Sequence, residues 1–128
     1  MKICFSWEDS GGGLSPYCRS SILNEDGVSP LACLLNDDGG IYFLDTTPWL
    51  KEGLTRISNV KRSSIPCADW SRDAWGAELT KAQVKIYSLY DENYIELLDI
   101  ESFEVALLAW INFIQMPSEP SVVTEVNL

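Results

Sequence analysis

Apolar and polar residues alternate, with one lapse, in the opening Lys2-Ile3-Cys4-Phe5-Ser6-Trp7, and this period of two predicts a first strand. Ser10-Gly11-Gly12-Gly13 breaks it. Residues 14–30 carry the turn formers Pro16, Asn24, Gly27 and Pro30 and follow no single period. Leu31-Ala32-Cys33-Leu34-Leu35 is a short apolar run that fits either a buried strand or a helical turn. The turn signal Asn36-Asp37-Asp38-Gly39-Gly40 and the strand-like Ile41-Tyr42-Phe43-Leu44 follow it, so residues 31–44 are expected to form a hairpin.

Pro48 can open a short helix over Trp49–Leu54, because a helix's first turn tolerates proline; Thr55–Val60 fits a strand equally well. Residues 61–75 read as a long irregular connection. Gln83–Tyr90 and Tyr94–Leu98 form the best strand pair, joined by the polar turn Asp91-Glu92-Asn93. Val84, Ile86, Ser88 and Tyr90 share one face, with Lys85, Tyr87 and Leu89 on the other. Asp99 then caps the clearest helix, which places Phe103, Ala106, Leu107, Trp110, Ile111, Phe113 and Ile114 on one broad face and ends at Pro117. The expected fold is a single α+β domain over residues 1–117, with an antiparallel sheet of about four to six strands packed against a C-terminal helix. Residues 118–128 are expected as a frayed tail or an added edge strand.

The length of 128 residues and 46% hydrophobic content suffice for one real core. The formal net charge is −10, and its placement is uneven. No base follows Lys85, whereas Asp91, Glu92, Glu96, Asp99, Glu101, Glu104, Glu119 and Glu125 all lie beyond it. A one-signed region can steer a basic partner, and it can also simply keep a small protein soluble. So acidic a chain is a poor nucleic-acid ligand. No apolar run is long enough to span a membrane, and the opening residues lack the apolar stretch of a secretory signal. Cys4, Cys18, Cys33 and Cys67 have no paired metal-binding spacing and read as free, mostly buried thiols of a cytoplasmic protein.

The chain has no histidine, which removes the usual general base at neutral pH and the commonest metal ligand. Ser10–Gly13 resembles a fragment of a phosphate loop but lacks the lysine and the helix that would follow it; a plain turn is the simpler reading. Asp37, Asp38 and Asp45 lack the alternating carboxylates of a calcium loop and fit turn formation better. Nothing singles out a lysine-activated serine such as Ser88 with Lys85, a reactive Cys67, or one carboxylate pair among nineteen acids. No enzyme, metal or cofactor constellation is expected.

Two segments carry partner-binding chemistry instead. Asp69, Trp70, Arg72, Asp73 and Trp75 form a tryptophan-rich acidic cluster of the kind found at binding hot spots, although indoles in so small a chain are normally packing residues and plugging the core is the simpler reading of both. Opposite the apolar face of the last helix, Glu101, Glu104, Val105, Leu108, Asn112 and Gln115 fall within an arc of about 100°. The acids Asp91, Glu92 and Glu96 extend the same one-signed region. The expected partner-binding residues are therefore Asp91, Glu92, Glu96, Glu101, Glu104, Leu108, Asn112, Asp69, Trp70 and Asp73.

The segment from Lys85 to Pro117, KIYSLYDENYIELLDIESFEVALLAWINFIQMP, resembles the close of many bacterial immunity proteins from contact-dependent inhibition and related polymorphic toxin systems. What it shares with them is a tyrosine-containing strand pair, a capped helix with Phe103, and the register Leu107, Trp110, Phe113/Ile114. The resemblance implies a small cytoplasmic α/β protein that binds the toxic domain of a cognate effector, often a nuclease, and blocks its active site.

The functional expectation is inhibition by binding, without catalysis: a protein, monomeric when free, that meets a basic toxin domain with an acidic surface. It would bind neither nucleic acid nor membrane. The competing expectation is a small non-catalytic adaptor or structural subunit of a bacterial or phage assembly, for which assembly genes on both sides would speak. An enzyme working through carboxylates or a lysine would require a pocket of several acids with perturbed protonation.

Overall fold

The structure is a computed structural model that describes residues 1–9 and 11–128; Ser10, the first residue of the glycine-rich motif, lies outside the described residues. β1 (Lys2–Asp9) and β2 (Leu14–Ser20) form a hairpin, and α1 (Pro30–Asn36), a 3₁₀ turn (Phe43–Thr46) and α2 (Thr47–Lys61) follow. β3 (Cys67–Ser71), β4 (Trp75–Thr80), β5 (Gln83–Ser88) and β6 (Ile95–Asp99) make a meander, and α3 (Ile100–Ile114) and β7 (Val123–Asn127) complete the chain. The strands form two antiparallel sheets, one ordered β2-β1-β7 and the other β3-β4-β5-β6. The α+β class, the antiparallel pairing and the packing of the C-terminal helix are as expected, but the strands divide between two sheets.

α3 is the common wall, touching β1 and β7 of one sheet, β5 and β6 of the other, and α2 along its side. Its composition explains this: eight of its residues are buried, so it is apolar over more than one face. The β1 alternation sends Ile3, Phe5 and Trp7 inward, where Phe5 meets Trp110 edge-on at 5.2 Å and Trp7 stacks on Phe113 at 4.9 Å. From the other sheet Trp70 reaches Phe103 at 6.4 Å.

Three local expectations are corrected. Residues 31–44 are not a hairpin: Ser29 Oγ accepts the Ala32 N–H at 3.1 Å, Pro30 opens α1, and Leu31, Leu34 and Leu35 bury one helical face. Thr55–Val60 continues α2, because Leu50, Gly53, Ile57 and Val60 recur at helical spacing on its buried side. Within 61–75, residues 67–71 form β3, paired along β4 from Cys67↔Thr80 to Ser71↔Gly76. Of the two readings of the tail, β7 is the edge strand, paired with β1.

Candidate binding surface

The turn between β5 and β6 organises itself. Ser88 Oγ accepts the N–H groups of Tyr90 and Asp91 at 3.1 Å each, and Asp91 Oδ1 accepts that of Asn93 at 3.0 Å. A second loop, before α1, is wound around Asn24, whose Oδ1 accepts the N–H groups of Asp26 and Val28 at 2.9 Å each. Tyr94 joins the two loops by donating its hydroxyl to Asp26 Oδ2 at 2.8 Å, and that bond, with the charge of Asp26, raises the phenol pKa. The result is a cleft of about 420 Å³ lined by Asn24, Glu25, Asp26, Asp91, Asn93 and Tyr94. Three carboxylates face it, and no lysine or arginine lines it. Among the described residues Glu25 and Glu92 have no hydrogen bond or ion pair, so both remain available to a cation. Glu25 and Asp26 were not among the expected binding residues; Asn24-Glu25-Asp26-Gly27 signals only a turn, and the fold brings it to Asp91.

The remaining expected residues scatter. The five residues of β6 separate the Asp91-Glu92 turn from the start of α3 by about 16 Å. Glu96 points inward, where its Oε1 accepts the Leu31 N–H at 3.0 Å; burial raises its pKa, and the Leu31 bond partly offsets this. Asp99 Oδ1 accepts the Ser102 N–H at 2.7 Å and Oδ2 the Ser102 hydroxyl at 3.1 Å, which lowers its pKa as a helix cap. Glu104 is paired with Lys61 at 2.9 Å, so α2 cancels its charge. That leaves Glu101, Leu108 and Asn112, exposed along α3 with Val105 between them. Asp69 lies on the outer face of β3 opposite Glu78 of β4, and Asp73 is exposed in the β3–β4 connection beside Gly39.

Trp70 is a core residue, which corrects its expected place at a partner surface. It is 1% exposed, and its Nε1 donates to the Trp49 carbonyl at 3.1 Å. Arg72 is 4% exposed; its guanidinium lies 4.6 Å from the Trp49 ring centre and donates Nη1 to the Leu34 carbonyl at 3.1 Å. Leu34 sits in the last turn of α1, where a cation complements the unpaired carbonyls. Both side chains thus hold the fold together rather than face a partner.

The motifs weighed for chemistry also have structural places. Asp37 Oδ2 accepts the N–H groups of Ala74 and Trp75 at 2.7 and 3.1 Å, and Asp38 Oδ1 accepts that of Gly40 at 2.8 Å. Ser88 Oγ is occupied by its turn, and Lys85 is exposed on β5. Among the described residues no three Cys, Asp or Glu side chains are grouped to hold a metal ion. All four cysteines are free, but only Cys18 is buried, and burial pushes its thiol up to about 12; Cys67 is exposed. No helix is long and apolar enough to cross a membrane.

Two of the four sheet edges are closed by side chains. Asn36 pairs with the backbone of Cys18 on the outer side of β2. On β3, Trp49 Nε1 donates to the Ser71 carbonyl at 2.8 Å and Arg56 donates to that of Asp69. With this geometry in place, comparison with known proteins adds no relative: no family model, curated protein or solved structure matches the chain.

Proposed function

We propose that this chain is an immunity-type binding protein that neutralises a cognate, basic, nuclease-type toxin domain by covering its active site with an acidic surface. The observation that carries this reading is the cleft framed by Glu25, Asp26 and Asp91, with Glu92 on the same turn and no lysine or arginine lining it. A nuclease must present cationic groups to phosphates, and carboxylates held in the same arrangement compete for them. Uncompensated surface charge also accelerates encounter, most strongly at low salt. The resemblance of Lys85–Pro117 to immunity proteins supports the same reading. The test is co-expression with the toxin domain encoded immediately upstream. Co-purification and rescued growth are expected; failure of both defeats the proposal.

A further inference from the structure

The four-stranded sheet ends at β6 in an edge to which, among the described residues, no other strand pairs. Ser88 N–H donates to the Tyr94 carbonyl at 3.1 Å, which fixes the phase of the β5–β6 ladder. By alternation Glu96 and Leu98 turn their backbone groups toward β5, while Ile95 and Leu97 turn theirs outward. Among the described residues no donor or acceptor meets those outward groups. The side chains of Ile95 and Leu97 are 46% and 55% exposed on the outer face of the sheet. Beside the edge lies a cleft of about 130 Å³ whose walls include Ile22, Leu23, Val28 and Pro30. Acids stand at both ends of the strand, Asp91 and Glu92 before it, Asp99 as its last residue and Glu101 just after it.

We propose that β6 receives an extended, basic segment of a partner protein as a fifth strand of this sheet. The inference rests on the reading of the acidic cleft as a receptor for a basic partner, and it adds how that partner is held. The backbone of the incoming strand pairs with Ile95 and Leu97. Alternate apolar side chains enter the cleft at Ile22 and Leu23, while lysines or arginines meet the acids at the two ends. β7 also has an outward edge, but beyond Val123 it presents the polar Glu125 and Asn127, and Glu125 is paired with Lys2 at 3.4 Å.

The probe is an end-blocked hexapeptide of alternating Lys and Val, added to isotope-labelled protein and followed by amide hydrogen exchange. Exchange at Ile95 and Leu97 is expected to slow by at least about tenfold, and a Glu–Val peptide is expected to leave it unchanged. Leu97→Pro removes an outward N–H without removing a ladder bond, and should weaken peptide binding at least about tenfold. Leu97→Lys, which keeps the backbone intact and repels a basic strand, should weaken it too. The idea is overturned by protection at β7 instead, by signal changes confined to Glu25, Asp26, Asp91 and Glu92, or by no change at all. A toxin domain that co-purifies yet leaves Ile95 and Leu97 exchanging freely also overturns strand addition, while the immunity reading survives. Peptide protection at Ile95 and Leu97 without toxin binding supports strand addition and defeats the immunity reading.

Discussion

The carboxamide of Asn36 exchanges two hydrogen bonds with the backbone of Cys18, accepting its N–H at 2.8 Å and donating to its carbonyl at 3.0 Å. A side chain at the end of α1 thus does for β2 what a neighbouring strand would do, and ties the first sheet to the helix layer. Each bond is worth about 1 kcal/mol, and a partner left unpaired costs more. Asn36→Leu should therefore destabilise by about 2 kcal/mol in urea denaturation. Asn36→Asp keeps the acceptor but sets an oxygen against the Cys18 carbonyl, so it should not rescue. An unchanged urea midpoint for Asn36→Leu would refute the role.

Gly53 lies where α2 meets both Trp70 and α3. An added Cβ there would stand 2.9 Å from Trp70 Cε2 and 3.0 Å from Leu107 Cδ2, and both neighbours are buried. Alanine is favoured over glycine in a helix by about 1 kcal/mol, whereas overpacking a filled core costs about 1–3 kcal/mol. Packing wins, so Gly53→Ala should lower stability by about 1 kcal/mol and lower the melting temperature. A higher melting temperature would show that α2 can shift away from Trp70.

Glu96 makes stability depend on pH in a direction opposite to the usual acid. Its folded pKa lies above the ordinary 4.5 because burial disfavours the carboxylate. Between 4.5 and that raised value the folded chain binds more protons than the unfolded one, so this residue's contribution falls as pH rises through the window. Glu96→Gln keeps an acceptor for the Leu31 N–H and removes the charge. The variant should be more stable than wild type at neutral pH, with the difference closing below pH 4.5. Urea midpoints at the two pH values measure it; a difference that persists in acid contradicts the assignment.

Charge reversal at the acidic cleft is the direct probe of the encounter with a partner. Glu25→Lys and Glu92→Lys change exposed side chains that, among the described residues, hold no hydrogen bond or ion pair. Both should slow association with the toxin domain at low salt, by about tenfold together, and leave the melting temperature unchanged. Glu104→Lys is a poorer probe, because it would also set two lysines against each other at Lys61. Stopped-flow rates at two salt concentrations decide it; rates insensitive to both would move the interface elsewhere.

How far the sequence foretells this fold depends on how much each segment decides locally. Asp99, the apolar spacing of α3 and the alternation of β5 are local signals, and those elements lie where the pattern puts them. Leu31–Leu35 has no period of its own; the deciding signal is Ser29-Pro30, a cap and a helix opener just before it. β3 is hidden because only Ala68 and Trp70 turn inward from it, and its outer carbonyls are satisfied by side chains of α2, Trp49 and Arg56, and not by a further strand. The acidic end is half legible. Asp91 and Glu92 stand in a run without bases, but Glu25 and Asp26 are brought to them by the fold, with Tyr94 bonding Asp26, and chain order gives no sign of that contact.

β1 lies between β2 and β7, and the Leu128 N–H donates to the Met1 carbonyl at 2.8 Å. During synthesis β1 therefore waits for residues 123–127 before its sheet can close. The four-stranded meander, built from neighbours in sequence, has no such wait. Contacts of long sequence separation form late because their loops must be closed first. The growing chain should hold one finished sheet while Ile3 and Phe5 of the other still show an unpaired flank.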